Sequence, residues 1–575
     1  MKNFYMPADI READNIAAAK YGVPSVVLME NAAKNAARAA VELAGDPKDR
    51  FVILAGRGNN GGDGFAAARH LLIGGAAVTV LKSDADEVYK NDAAVNLAIL
   101  RRFDGERLRI FDTPELTDSE ISSLIGGARC VIEGLLGTGT SGAPRKEPAR
   151  LIRLLEGCKN VLALDIPSGI DPESGGVYEP CIRAAETVTF LAPKYGMAFC
   201  PAADCCGRII TADIGVPPEA ILPERPKMSL YESGDLHRML PEISRNIHKT
   251  ERGNLLVYAG SGSYRGAPLL TVRGALRAGA GLVFAAVPDF IAPHISAELP
   301  EAIVLPLATR NGEVEGASAS AVISEWLPKC AALVAGPGCG RSEGVEELFL
   351  WLWKNCRLPL LLDADMLWFY GRNLSELAPR ADVLLTPHSA EAGRILGLTP
   401  AEVDSKRAEC VLSLTAKTGQ ALLKGRNTLV ASSEELRMIA AGSPSLAVPG
   451  SGDVLSGIIG AFIAAGIPIA DAATAGALAH AFRLVTQPGD EILTFAPFFP
   501  EYRPYTAGAG LTLRVVPADT QTFQINFDAF ERMLTPAVQA VLINTPNNPS
   551  GAVYSAETLR RMAALLLQKE KAFGH

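Results

Sequence analysis

Five glycines, two amides and a carboxylate fall within nine residues, Gly56-Arg57-Gly58-Asn59-Asn60-Gly61-Gly62-Asp63-Gly64, directly after an apolar run. Phe51 to Ala55 is β-rich and Phe65 to Leu72 has helical composition, so the glycines are placed on a strand-to-helix turn. Glycine lets a backbone approach a phosphate closely, and the free N–H groups at the following helix start point at it. The stretch matches G-x-G-x-x-G at Gly56, Gly58 and Gly61 only in part, and it also reads as a simple tight loop. Asn59, Asn60 and Asp63 add two amides and a carboxylate, which can hold a sugar hydroxyl or a bare cation as well as a phosphate.

A chain of 575 residues is too long for one core, so two to four domains are expected. Hydrophobic residues at 48% and charged residues at 21% place it among soluble α/β enzymes, and a net charge of −8 argues against nucleic acid or an anionic membrane as partner. The ten cysteines are scattered, which reads as reduced thiols in a cytoplasmic protein. Asp9, Glu12 and Asp14 stand where a signal peptide needs an apolar core. The apolar run from Leu455 to Ala470 is broken by Gly457, Gly460, Gly466 and Pro468, so a buried soluble helix is expected rather than a membrane span.

In residues 1–215, two helices over Ile10 to Leu43 precede alternating strand and helix patterns. These predict a Rossmann-like, doubly wound, mostly parallel sheet with ligands at the carboxyl ends of its strands. Three polar clusters follow strands: Asn59 to Asp63, Glu133 to Gly139, and Asp165-Ile166-Pro167-Ser168-Gly169. Together with Met29-Glu30-Asn31 and Gly137-Thr138-Gly139, they resemble the epimerase domain of the NAD(P)H-hydrate repair enzymes. The resemblance implies exchange of the R and S epimers at C6 of a hydrated nicotinamide ring, with a potassium ion in the site. It carries hydrate binding to Asn59, Asn60, Gly61, Gly62, Asp63, Gly137, Thr138, Gly139, Thr140, Ser141, Gly142 and Ala143, with Asp165 near the reacting ring. Asn60, Glu133 and Ser168 take the potassium-ligand positions. Glu133 departs from the family's usual Asp, and its extra methylene carries the carboxylate about 1.5 Å further. Asp165 reads either as a cap on the turn that follows it or as a catalytic acid whose proton affinity desolvation has raised.

Pro217, Pro218, Pro223 and Pro226 mark a stiff linker over residues 216–227. Residues 228–482 repeat the pattern of polar turns after strands. Pro449-Gly450-Ser451-Gly452-Asp453 opens an apolar helix whose N–H groups can stabilise a phosphoryl group in transfer while Asp453 takes a proton. Asp453 also reads as a helix-dipole residue. Lys249, Gly336-Pro337-Gly338, Asp363-Ala364-Asp365, Thr386-Pro387-His388 and Gly450 to Asp453 resemble the dehydratase domain of the same enzymes, a ribokinase-like fold, with Ser451 in place of the more common Thr. That implies phosphorylation of the S epimer's C6 hydroxyl by ADP or ATP with Mg2+, followed by loss of phosphate. Asp453 is then the base. Ala267, Gly338 and His388 contact the hydrate, and Lys424, Gly425, Arg426, Asn427, Thr428 and Gly452 the nucleotide.

Residues 483–575 belong to neither pattern. Phe495-Ala496-Pro497-Phe498 and Asn544-Thr545-Pro546-Asn547-Asn548-Pro549 resemble an incomplete fold-type I aminotransferase, with Asn548 at a pyridoxal-phosphate contact but no segment carrying the Schiff-base lysine. A marginal tail with exposed apolar surface is expected. Three other readings remain: a non-catalytic first domain, a ribokinase-type small-molecule kinase as the second, and an active aminotransferase. For the leading reading the partners are NADHX or NADPHX and ADP or ATP, and the assembly a homo-oligomer.

Overall fold

The computed structural model describes all residues except 104, 141, 233, 234, 241–251, 442–447, 485–488, 499–501, 504, 505, 507–510, 520, 521, 544–546, 548, 549, 551, 574 and 575. Ser141, Lys249 and Asn548 therefore lie outside the described residues. The chain divides into two compact units, residues 2–230 and a second that takes in residues 231–575.

In the first unit, β1 (Lys2–Phe4) precedes two helices, Pro7–Tyr21 and Ser25–Ala44. The strands β2 (Arg50–Ala55), β3 (Ala77–Lys82), β4 (Leu108–Asp112), β5 (Cys130–Gly134), β6 (Val161–Leu164), β7 (Glu186–Phe190) and β8 (Arg208–Ala212) form one sheet. Its order is β4-β3-β2-β5-β6-β7-β8, and every pairing is parallel. The terminal strand β9 (Met228–Tyr231) pairs antiparallel with β1. Successive side chains of β2 serve opposite faces. Phe51, Ile53 and Ala55 join the helices Ser25–Ala44 and Asn59–Ile73 in one core. Val52 and Leu54 join Ile121, Ile125 and Ile152 in the other. The doubly wound α/β expectation holds, and it sets the turns after β2, β5 and β6 at one edge of adjacent strands.

The glycine-rich stretch differs from its sequence reading. Helix Asn59–Ile73 starts at Asn59, so Gly61, Gly62 and Gly64 are helical rather than part of a turn. Close approach explains this, because a Cβ on Gly61 would lie 1.8 Å from the Gly56 carbonyl oxygen. Only glycine lets the helix begin against the end of β2, and composition registers the glycines as breakers.

In the second unit β10 (Asn254–Tyr258), β11 (Leu282–Pro288) and β12 (Ile303–Leu307) are followed by a small hairpin, β13 (Thr309–Arg310) with β14 (Glu313–Val314). The sheet continues with β15 (Ala332–Ala335), β16 (Leu360–Leu362), β17 (Val383–Leu385), β18 (Gly419–Leu423), β19 (Thr428–Ser432) and β20 (Leu436–Ile439). The order is β20-β19-β18-β17-β16-β15-β10-β11-β12, parallel from β18 to β12 and antiparallel from β18 to β20. Helices Ala267–Ala278 and Ser451–Ala464 pack on each other through glycines. A Cβ on Gly457 would sit 2.0 Å from the Thr271 carbonyl oxygen. Gly457→Ala therefore forces two backbones apart, and we expect a loss of about 1–3 kcal/mol. Trp326, Trp351, Trp353 and Trp368 all lie in this unit, so urea unfolding followed by tryptophan fluorescence measures it.

The tail departs from expectation in one respect. β21 (Glu491–Phe495), β22 (Thr512–Val516) and β23 (Val538–Leu542) form a parallel sheet, in the order β22-β21-β23. Leu493, Phe495, Val516, Phe530 and Tyr554 make a core of their own. Strand–helix–strand spacing supplies that core locally, while Val553 and Leu567 stay exposed at 62% and 59%.

Candidate functional sites

A cavity of about 1050 Å³ opens beside the turns after β2, β5 and β6. Asn59, Asn60, Asp63, Gly137, Thr138, Gly139, Thr140, Gly142, Ala143 and Asp165 line it, whereas Gly61 and Gly62 are buried in the helix start. Asn60 Nδ2 donates to the carbonyls of Leu136 and Leu164, both at 3.0 Å, which ties three strand ends together. Its Oδ1 is buried with no partner. Glu133 is fully buried and accepts from Leu135 N at 2.8 Å, Ser168 Oγ at 2.6 Å and Ser168 N at 3.2 Å. Burial pushes its carboxyl up to about 7, against those hydrogen bonds. Leu136 N donates to Ser168 Oγ at 2.9 Å, so Asn60, Glu133 and Ser168 all converge on the Leu135-Leu136 turn. An orphaned amide oxygen beside one carboxylate and a hydroxyl fits a hard, weakly charged cation. Among the described residues, no group of three or more His, Cys, Asp or Glu side chains could hold a metal ion.

Asp165 does not cap the turn after it. It adopts a left-handed φ of 63° and its carboxylate is ion-paired with Lys194, whose side chain is fully buried. Lys194 Nζ also donates to Thr189 Oγ1 at 2.9 Å and to the Phe190 carbonyl at 3.2 Å. Burial, then the charges of Asp165 and Asp14, push Asp63 well up, and burial pushes Asp14 to about 6 against the opposing charge of Lys194. Sequence reasoning missed Lys194 and used Asp14 only to exclude a signal peptide. The available signal was a lone lysine in the apolar run after β7.

In the second unit Asp363, 1% exposed, accepts from Lys424 Nζ at 2.8 Å and from Ser456 Oγ at 2.7 Å. Burial depresses Lys424, but Asp363 and Glu391 more than offset it and the ammonium's pKa is raised. Gly452 lies over this pair, since a Cβ there would be 3.3 Å from Lys424 Nζ. Asp453, in the first turn of helix Ser451–Ala464, is pushed up to about 7 by burial and then by Asp363, with Lys424 opposing. Gly338 and Ala267 meet, a Cβ on Gly338 falling 2.9 Å from that of Ala267. His388 caps helix Ser389–Leu396, its Nδ1 accepting from Ala390 N at 3.1 Å and Glu391 N at 3.3 Å. Thr428 begins β19, and its Oγ1 donates to the Gly425 carbonyl at 3.3 Å; Arg426 and Asn427 occupy the turn between them. Sequence reasoning assigned Lys424 to a nucleotide; the structure sets its ammonium on Asp363. Ser456 was missed, because a serine inside a helix carries no pattern of its own; Glu391 falls in the polar run after β17 but was given no role.

Two α/β units, each with a polar cluster after parallel strands and each pairing a lysine with an aspartate, define a two-site enzyme. Comparison with known proteins places it. A family described as "YjeF-related protein N-terminus" matches residues 25–196, and one described as "NAD(P)H-hydrate dehydratase" matches residues 255–484. The "Bifunctional NAD(P)H-hydrate repair enzyme Nnr" of Thermanaerovibrio acidaminovorans is 40% identical over 80% of this chain and 89% of its own. The protein of that name from Escherichia coli is 33% identical over 82% and 87%. A solved ADP/ATP-dependent NAD(P)H-hydrate dehydratase from Bacillus subtilis is 26% identical over 44% of this chain and 88% of its own, with a TM-score of 0.36. The chain belongs to the family of bifunctional NAD(P)H-hydrate repair enzymes. "Aminotransferase class I and II" matches residues 472–573, so two family matches overlap on the single helix Ile469–Leu484. No helix among the described residues is long and apolar enough to cross a membrane.

Proposed function

We propose that the chain repairs hydrated nicotinamide cofactors in two steps, epimerising R- and S-NAD(P)H hydrate at C6 in the first cleft and dehydrating the S form in the second with ADP or ATP. What carries the reading is one arrangement present in both units: a lysine–aspartate pair with one partner buried, Lys194 against Asp165 and Asp363 against Lys424, with a further carboxyl of raised proton affinity beside it. Enzymes tune acids and bases toward neutral pH by such desolvation.

In the first cleft Asn59, Asn60, Asp63 and residues 137–143 bind the hydrate, and Asp165 takes the proton of its C6 hydroxyl. Asn60, Glu133 and Ser168 would hold a potassium ion, which would supply fixed positive charge. In the second, Asp453 removes the proton of the C6 hydroxyl as that oxygen attacks the terminal phosphoryl group, whose charge the N–H groups of Gly450 to Asp453 stabilise. Phosphate then leaves as the ring nitrogen's lone pair pushes it out, C5 loses a proton, and the dihydronicotinamide is restored. Lys424 holds Asp363 in place and balances charge there. Ala267, Gly338 and His388 face the hydrate. Gly425, Arg426, Asn427, Thr428 and Gly452 face the nucleotide, which arrives with Mg2+. Ten cysteines, none of them in a disulfide, suit a reducing cytoplasm.

The potassium assignment makes a prediction. R-hydrate is epimerised faster in potassium chloride than in lithium chloride, and Asn60→Leu removes the difference. Equal wild-type rates in the two salts contradict it.

A further inference from the structure

We propose that Asp14 is the proton donor of the epimerisation, acting against Asp165 across the first cavity. This rests on the reading of that cavity as the epimerase site. Asp14 stands four residues after Ile10 and three after Arg11, and these three form the cavity-lining face of helix Pro7–Tyr21. Ala13 and Ala17, both fully buried, anchor the adjoining side of that helix in a core with Ile10, Leu28 and Ala32. The charged groups around Asp14 are Asp63 on helix Asn59–Ile73, Asp165 after β6 and Lys194 after β7, with Arg11, Arg57, Asp84, Asp92, Arg145, Lys146 and Glu147 lining the same cavity.

Burial raises the proton affinity of Asp14 to about 6, so both its forms are populated near neutrality. Asp63 is also raised but is only 7% exposed, whereas Asp14 is only partly desolvated and can trade its proton with substrate and solvent. Asn60, whose Oδ1 is buried without a protein partner, lines the same cavity and can accept from a ligand or water or coordinate a cation.

The chemistry needs two proton carriers in opposite states. C6 of the hydrate bears both a hydroxyl and the ring nitrogen N1, so its epimers interconvert through the open-chain aldehyde. Asp165 takes the hydroxyl proton as the C6=O bond forms and the C6–N1 bond breaks. The electron pair goes to N1, which receives the proton of the Asp14 carboxyl. Rotation about C5–C6 turns the other face of the carbonyl to N1, N1 adds back, and each proton returns to its origin. Nothing is oxidised, reduced or consumed.

The test follows R-to-S exchange by chromatography on the full chain, with hydrate affinity measured by calorimetry. Asp14→Asn lowers kcat about 100-fold or more while affinity and KM stay within about threefold. Because the donor must be protonated, wild-type kcat/KM falls as pH rises through about 6, and the Asp14→Asn profile is flat there. Asp14→Glu, which keeps a carboxyl, regains most of the rate with the inflection displaced. A near-wild-type kcat in Asp14→Asn, or an inflection unmoved in Asp14→Asn or in Asp14→Glu, overturns the proposal. Wild-type protein that binds the hydrate without exchanging its epimers overturns the site reading itself, and the proposal with it.

Discussion

Asp453→Asn slows nucleotide-dependent dehydration about 10²- to 10⁴-fold and leaves epimerisation at its wild-type rate. The amide preserves the shape of the carboxyl and its place in the first turn of helix Ser451–Ala464. It removes only the capacity to take a proton. Burial and the neighbouring Asp363 hold Asp453 at about 7, with Lys424 opposing. A base must be deprotonated, so wild-type dehydration falls as pH drops through about 7, and the residual rate of Asp453→Asn lacks that limb. Phosphate release and recovery of dihydronicotinamide absorbance are measured together. Phosphate appearing without recovered absorbance would mark a hydrolase, a stable phosphorylated product would mark a kinase, and an unchanged rate would remove Asp453 from the mechanism.

Asp165→Ala destabilises the first unit by about 3–5 kcal/mol as well as abolishing epimerisation, because it strands a buried ammonium. Lys194 is fully buried, and its two remaining acceptors, Thr189 Oγ1 and the Phe190 carbonyl, are neutral. Removing both charges is a different matter. In Asp165→Leu with Lys194→Met the desolvation cost disappears along with the pair, so most of the stability returns while activity does not. None of the tryptophans lies in the first unit, so its transition is followed by circular dichroism while fluorescence reports the second. If the single variant unfolds no earlier than wild type, or the double variant is no more stable than the single, the pair does not hold the charge in place as described.

What the sequence could reveal divides along physical lines. Strand ends were legible because apolar runs stop abruptly at polar clusters: Ala55, Gly134 and Leu164 close strands where the composition turns. Asn60, Glu133 and Ser168 could be grouped through the family resemblance, and the structure brings all three to the Leu135-Leu136 turn. The helix start at Asn59 was hidden because glycine propensity opposes it, and only the tertiary approach of Gly56 to Gly61 accounts for it. Lys194 and Asp14 were hidden for a different reason. Lys194 lies 29 residues from Asp165 in the chain, and periodicity holds no record of partners that meet only in space. The tail's core was missed because incompleteness of a fold was read as absence of local packing, yet Phe495, Phe530 and Tyr554 find one another within that segment.

The measurement closest to the central claim is complete turnover of a mixed R and S hydrate preparation by the full chain with ATP, magnesium and potassium. Two coupled sites predict that both epimers are converted to NADH, well ahead of exchange in buffer alone, with one phosphate released per cofactor restored. Conversion that halts once the S share is spent, or no conversion at all, would contradict a chain that carries both activities.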